Sequence, residues 1–401
     1  MKKHLLVITQ YFYPEQFRII DICEEWVRRG YKVTVLTGVP NYPQGKFYDG
    51  YGLFKRRKEV YNGIQIIRIP IISRGKSSVR LLLNYLSFVV SGYIWQLKTK
   101  IKADNVFIYE VSPMTQALVG VWYAKRHRIP CNLYVTDLWP ENVEIVTGIT
   151  HPIIIKPIEK MVKYIYSNCT KIFTSSKTFI KEIEKRGVKP EKLEFWPQYA
   201  EEHYRPVKID QPINTIKGDN RFKIIFAGNI GTAQGLWVLP KAAQALKEIK
   251  ANVCFVIVGD GRYKQELIKS IKEQNVMDMF YFFDSQPAAS IPTFMANCDA
   301  AMICLGKSKV FSMTIPAKTQ SCLACGMPII VCADGEVQNI IKDAECGVYC
   351  NAGDYIELAR VIQEISELPK DTLVRMSENA LKYSDEHFNK SELMDRIDIF
   401  L

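Results

Sequence analysis

RFKIIFAGNIGTAQGLWVLPKAAQALKEIK (221–250) is the stretch whose reading decides the fold. An apolar run, FKIIFA, ends on Gly228. It is followed by Asn229-Ile230-Gly231-Thr232-Ala233-Gln234-Gly235 and then by PKAAQALKEIK (240–250), a helical pattern with proline at its start. Strand, glycine loop and helix in that order make the βα unit of an open parallel sheet. Glycines placed directly after a strand let backbone N–H groups approach a phosphate closely, and the following helix N-terminus adds partial positive charge. The loop is neither G-x-G-x-x-G nor a P-loop, so a tight turn without ligand is the competing reading.

The same unit recurs in both directions along the chain. Towards the C-terminus, NVCFVIVGDG (252–261), MFYFFD (279–284), DAAMICL (299–305) and MPIIVCA (327–333) read as strands. Towards the N-terminus, the strand runs are LLVITQY (5–11), YKVTVLTG (31–38), IQIIRIP (64–70), DNVFIYEV (104–111), CNLYVTDL (131–138) and TKIFTSS (170–176). All are nearly continuous apolar runs, as expected of strands covered on both faces. The polar, proline-containing 203–220 reads as a linker. Two α/β, Rossmann-like domains facing across a cleft are therefore expected: 1–202 with a terminal helix over 385–401 returning to it, and 221–384. A chain of 401 residues suits two such cores. Ligands in such sheets bind past the carboxyl ends of the strands.

Charge and cysteines narrow the class. The net charge is +11, and residues 1–200 hold 31 Lys and Arg against 16 Asp and Glu, so the excess belongs to the N-terminal half. With no zinc-finger spacing and no aromatic RNA-binding signature, nucleic acid is not the expected partner. A membrane surface or a phosphorylated lipid is. Eleven cysteines are scattered through apolar runs and read as small core residues of a reducing compartment. Cys322 and Cys325 form one C-x-x-C without a matching second pair, so no metal is expected. The short apolar run after Lys2-Lys3 lacks a cleavage site and reads as a first strand, not a signal peptide.

Five further stretches can carry chemistry. In TIPAKTQSCLACGMPII (314–330), Thr314 can cap and Pro316 suits a first helical turn, which sets Lys318 near a helix N-terminus. A lysine there opposes the helix dipole; it either faces solvent or meets an anionic ligand. YFYPEQFR (11–18) and VPNYPQGKFYDGYG (39–52) are aromatic loops after strands that line a sugar site or simply pack, with Tyr13, Arg18, Asn41 and Tyr42 as candidates. In TDLWPEN (136–142), Asp137 and Glu141 can orient or deprotonate a hydroxyl, or Asp137 can cap a helix. The apolar 79–102, basic at both ends, packs on the first sheet or, with 55–58 and Arg74-Gly75-Lys76, rests on an anionic membrane.

Taken together, TQYFYPEQFR, RRGYKVTVLTGVPNYPQG, VTDLWPENV, FAGNIGTAQGL, VIVGDG and IPAKTQSCLACGMPII resemble the family 4 retaining glycosyltransferases of the GT-B fold, in the WbuB-like branch of L-fucosamine transferases of surface polysaccharide synthesis. The resemblance covers nearly the whole chain. It implies a metal-independent hexosyltransferase with no bound cofactor. The expected donor is a nucleotide diphosphate sugar, UDP-linked and N-acetylated. The expected acceptor is a polyprenyl-diphosphate-linked saccharide of capsule, O-antigen or related polysaccharide synthesis, reached from the cytoplasmic face of the cell membrane. The family's donor-binding Arg and Lys fall on Asn229 and Gln234 here, and its two Glu positions on Met313 and Ser321. The resemblance therefore moves diphosphate binding to Lys318 and to the backbone of Gly228, Asn229 and Pro316 to Thr319, including Ala317. Gly231, Gln234 and Glu336 complete the donor candidates. Asp137, Glu141 and Lys318 are the catalytic candidates, Asp137 standing where many members place a histidine. A sugar-nucleotide 2-epimerase and a non-catalytic sugar-nucleotide-binding component are the alternatives.

Overall fold

The computed structural model describes residues 2–75, 77–148, 151–208 and 213–401; Lys76 and 209–212 of the expected linker lie outside them. The chain forms two compact units. One comprises the residues up to Trp196 together with Asp395–Leu401, and the other Pro197–Met394.

The first unit is built on eight strands: β1 (His4–Ile8), β2 (Lys32–Gly38), β3 (Lys58–Tyr61), β4 (Ile64–Ile69), β5 (Asn105–Glu110), β6 (Cys131–Val135), β7 (Lys171–Thr174) and β8 (Leu193–Phe195). Their order is β3-β4-β2-β1-β5-β6-β7-β8, and every pairing is parallel except β3 with β4. The central strands β1 and β5 are buried along their whole length, which explains their largely apolar sequence. The expected strand over 5–11 stops at Ile8 because the Gln10 N–H turns to the Gln116 side chain, at 2.6 Å, and leaves the ladder. Helices α1 (Ile19–Arg28), α2 (Ser78–Lys98) and α3 (Ala117–His127) follow β1, β4 and β5.

The second unit has six parallel strands: β9 (Phe222–Ala227), β10 (Val253–Val258), β11 (Phe280–Phe283), β12 (Ala300–Cys304), β13 (Ile329–Cys332) and β14 (Gly347–Cys350). Their order is β11-β10-β9-β12-β13-β14. Both sheets are doubly wound α/β, as the sequence leads one to expect. The strand order reverses beside β1 in one unit and beside β9 in the other. Those two reversals are where such sheets open a crevice for ligand.

Of the C-terminal stretch, Asp395–Leu401 belong to the first unit. The 385–401 stretch comprises the end of one helix, Lys370–Phe388, and a second, Lys390–Asp398, divided at Asn389, whose side-chain oxygen accepts from the N–H groups of Ser391 and Glu392. Arg29 clamps Asp395 and Asp398 at 2.5 and 2.9 Å, and the Phe400 carbonyl accepts from Asn105 and Asn132 at 3.1 and 3.0 Å. These bonds satisfy polar groups that β5 and β6 would otherwise bury unpaired.

Candidate functional site

In the second unit the loop after β9 is held from both sides by backbone. Gly228 donates to the Val258 carbonyl at 2.9 Å and Ile230 to that of Asp260 at 2.8 Å, which ties the loop to the Gly259-Asp260-Gly261 turn after β10. A Cβ on Gly259 would stand 2.0 Å from the Gly228 carbonyl oxygen, so only glycine lets the two turns lie this close. On the other flank Gly306, after β12, donates to the Ala233 carbonyl at 2.9 Å. Three strand ends at the reversal point are thus fixed to one another.

Lys318 enters this junction from the helix Ala317–Ala324. Its Nζ donates to Gln234 Oε1 at 2.9 Å, lies 3.8 Å from the Phe226 ring centroid, and is 3.7 Å from where a Gly228 Cβ would be. Among the described residues no carboxylate pairs with it, and burial pushes its pKa down to about 8. A desolvated ammonium without a counter-ion is costly, and an anion beside Gly228 would stabilise its charge. Asn229 is exposed and leans over Gly231, its Nδ2 standing 2.9 Å from where a Cβ of that glycine would lie. Pro316 is the N-cap residue, one position ahead of the helix. Thr314 does not cap: its hydroxyl donates back to the Val310 carbonyl at 2.8 Å. Ala317 is exposed, and Thr319 is buried with its hydroxyl oxygen unpartnered. Glu336 opens the helix after β13, one strand further from the reversal than Lys318.

The first unit carries a buried polar network at its own reversal point. The Gln10 N–H donates to Gln116, and the Gln10 side chain donates to Asn84 of α2 at 2.6 Å. Glu15, 1% exposed, accepts from the N–H groups of Asn41 and Tyr42, both at 2.7 Å, and of Phe12 at 3.2 Å. It therefore pins the loop after β2 to the loop after β1. Burial pushes the Glu15 carboxyl up to about 7 against those three donors. Asn41 is buried and its side-chain oxygen accepts from the Arg74 N–H at 2.8 Å, while the Arg74 guanidinium lies 5.3 Å over the Tyr42 ring. Tyr13 stacks on Tyr61 at 3.8 Å, and Arg18 stands at the start of α1 with its charge acting on Tyr134.

After β6, Asp137 accepts from the Ser112 N–H at 2.7 Å, and Ser112 Oγ accepts from Trp139 and Asn142. Asp137 does not cap a helix, since Pro140 precedes the helix Glu141–Thr147. Asp137 and Tyr42 both act electrostatically on the half-buried Tyr85 of α2, which places them on the same side of the unit. Beneath Asp137 lies Glu110, wholly buried with one carboxyl oxygen unpartnered, and burial holds its pKa well above the usual carboxylate range. Glu141 is turned away into an ion pair with Arg186.

Comparison with known proteins adds what geometry does not. Residues 208–383 match the model of the family described as glycosyl transferases group 1. That match lies within the second unit. The protein named probable glycosyltransferase WbjE of Pseudomonas aeruginosa is 28% identical over 253 residues, 60% of this chain and 61% of that protein, so the chain spans less than two thirds of it. WcaI of Escherichia coli (strain K12), named for a colanic acid biosynthesis glycosyl transferase, is 23% identical over 388 residues, 92% of each. The Anabaena protein Alr3699/HepE, solved in complex with UDP and glucose, superposes with a TM-score of 0.72 at 14% identity over 99% of this chain and 98% of that one. That likeness shows a shared two-sheet fold.

In the second unit the donor candidates Gly228, Gln234 and Lys318 are in direct contact or nearly so, whereas Glu336 stands apart. The residues missed from sequence are Glu15, Glu110, Gln10 and Gln116. Their one visible signal is a polar side chain in or directly after an apolar strand run. The raised Glu15 pKa carries a prediction. Between about pH 4.5 and 7 the unfolded chain gives up this proton and the folded chain keeps it, so stability falls as pH rises through that window. Over the whole window the loss is on the order of 3 kcal/mol. Glu15→Gln should flatten that part of the stability curve, as read from denaturant midpoints of the two proteins at stepped pH; parallel curves would contradict it.

Proposed function

We propose that this glycosyltransferase moves a sugar, with retention of configuration, from a UDP-linked donor to a polyprenyl-diphosphate-linked saccharide in surface polysaccharide synthesis. An N-acetylated deoxyhexose, as in the WbuB-like branch, is the proposed sugar. The observation that carries the reading is the uncompensated Lys318 ammonium beside the glycine loop at the β9 reversal point. In the transfer step the bond from sugar C1 to the diphosphate oxygen breaks and a bond from C1 to the acceptor oxygen forms. The acceptor proton passes to the departing phosphate oxygen on the same face, releasing UDP. Negative charge develops on that diphosphate, and fixed positive charge from Lys318 and nearby backbone N–H groups favours it. Asp137, held by the Ser112 N–H, is proposed to take a hydrogen bond from the acceptor hydroxyl. The colanic acid name of WcaI and the UDP complex of HepE support the acceptor and donor classes.

The acceptor is lipid-held, and the reading places the chain on the inner face of the cell membrane. Among the described residues no helix is long and apolar enough to cross a bilayer. Helix α2 instead exposes Val79, Leu82, Leu86, Val90, Tyr93 and Leu97, with Arg74 and Arg80 near its start. This is a stripe at helical spacing suited to lying in a lipid interface.

Two measurements test the reading. UDP-sugars should raise the melting temperature above that with GDP- or dTDP-sugars, because a ligand bound only by the folded state stabilises it. A panel of polyprenyl-diphosphate-linked saccharides should then yield an elongated product by mass spectrometry. An epimerised nucleotide sugar formed without acceptor, or donor binding with no transfer across the panel, would overturn it.

A further inference from the structure

Away from both reversal points, the first unit has a groove of about 1160 Å³ between α2 and the face of β4. Seven cations line it: Arg68, which is paired with Glu59, and the six residues Lys32, Arg57, Lys58, Lys98, Lys100 and Lys102. No carboxylate does. Two acids reach residues of its wall, Glu59 pairing with Arg68 at 2.8 Å and Asp104 accepting from the His4 N–H at 2.7 Å. Among the described residues none of the other six cations is paired with an acid. His4, also in the wall, is held neutral: burial lowers its pKa and Lys32 adds to that, while its ring bonds to Thr34 and to the Lys102 carbonyl.

The rest of the wall is hydrocarbon. Ile67 and Ile69 come from β4, Ile94 and Trp95 from α2, and Ile101 from the segment behind it. Ile94 is also exposed, alongside Val90 and Leu97, so the floor of the groove continues onto the bare stripe of α2. Like charges gathered without acids repel one another, and that cost is relieved by a bound anion. Nucleic acid or an acidic glycan would use the cations but not the hydrocarbon. An amphiphile uses both.

We infer that this groove is a discrete binding site for one anionic phospholipid, its phosphate held by Lys98, Lys100 and Lys102 and its chains laid along Ile67, Ile94 and Trp95. The site is separate from sugar transfer. His4 and Lys32 are the first residues of β1 and β2, whereas the candidate acceptor loops follow the last residues of those strands. It is also separate from bilayer contact through the α2 stripe, because a single lipid in solution can fill it.

The probe is dihexanoyl phosphatidylglycerol below its micelle concentration, titrated calorimetrically into the full chain. Saturation at one lipid per chain is expected, with dihexanoyl phosphatidylcholine weaker by at least about tenfold because only the net anion meets the lysines. The triple variant Lys98→Ser, Lys100→Ser, Lys102→Ser should weaken the phosphatidylglycerol by roughly 10²-fold, at about a kcal/mol per cation. Leu82→Ser with Leu86→Ser should keep that binding while losing adsorption to vesicles of phosphatidylglycerol and phosphatidylcholine. That result separates this site from the proposed membrane contact. Equal binding of the two lipids, unsaturable binding, or a triple variant that binds like the parent would overturn the inference. So would inorganic phosphate or a single-stranded oligonucleotide binding as tightly as the lipid and displacing it.

Discussion

Lys318→Met is expected to lower turnover by roughly 10²-fold or more while leaving the unliganded protein at least as stable as the parent. The two halves of that expectation have one cause. In the free protein the Lys318 ammonium has an amide oxygen and the Phe226 ring for company but no acid, and burial has pulled its pKa down to about 8. Keeping it charged at neutral pH therefore costs folding free energy, which methionine of similar length does not incur. The sign follows from linkage. Between about pH 8 and the usual lysine pKa the unfolded chain binds the extra proton, so the parent gains stability as pH rises through that window and the variant does not. Catalysis depends on the same charge in the opposite sense. A diphosphate bound at the Gly228 loop meets the ammonium as its own charge grows, and an interaction that strengthens towards the transition state acts on kcat. The parent's kcat/KM should fall above about pH 8 as the free lysine deprotonates, and the variant should lack that limb. A variant that keeps near-normal turnover removes Lys318 from the site. One that merely unfolds shows that its role is packing.

Why this residue could be nominated from sequence but not assigned is a matter of distance along the chain. The fold was legible because parallel strands covered on both faces are written as largely apolar runs: VCFVIV, NVFIYE and HLLVI are each buried throughout. The strands not anticipated, β3 (KEVY), β8 (LEF) and β14 (GVYC), are short and lie at sheet edges, where alternation is too brief to stand out. Contacts set by strand order were hidden altogether. Lys318 and Gln234 are 84 positions apart and meet only because β12 packs beside β9. Glu15 and Glu110 were hidden for the opposite reason. A glutamate in sequence reads as a solvated side chain, and nothing local says that three backbone N–H groups will surround one and an apolar sheet the other. Glu141 illustrates the limit of motif reading: it follows a strand as a catalytic acid would, yet an arginine from elsewhere in the unit claims it.

Gly259→Ala should abolish most activity through geometry alone, with no charged or reacting group removed. Gly259 sits at φ +146, a conformation that L side chains rarely adopt, and the added methyl would lie 2.0 Å from the Gly228 carbonyl oxygen and 3.0 Å from its carbon. Those atoms are backbone, so the overlap is relieved only by moving the Gly228 loop away from the Gly259-Asp260-Gly261 turn. The Gly228 N–H to Val258 and the Ile230 N–H to Asp260 would stretch together, since both cross the same seam. Backbone strain of this kind costs about 1–3 kcal/mol, and a shift of roughly 1 Å at a positioned group can cost about 10²-fold in rate. Gly30→Ala is the control. Gly30 has φ +94 but nothing within 4 Å of the added carbon, so it bears the conformational cost without the collision. Its stability should fall by roughly 1 kcal/mol with kcat unchanged, since it lies just past α1 and far along the chain from the loop. Denaturant unfolding and turnover measured on both variants separate strain from displacement. If Gly259→Ala lost stability like Gly30→Ala yet kept its turnover, the loop after β9 would not need its present position, and the assignment of the diphosphate to Gly228 and Lys318 would fall with it.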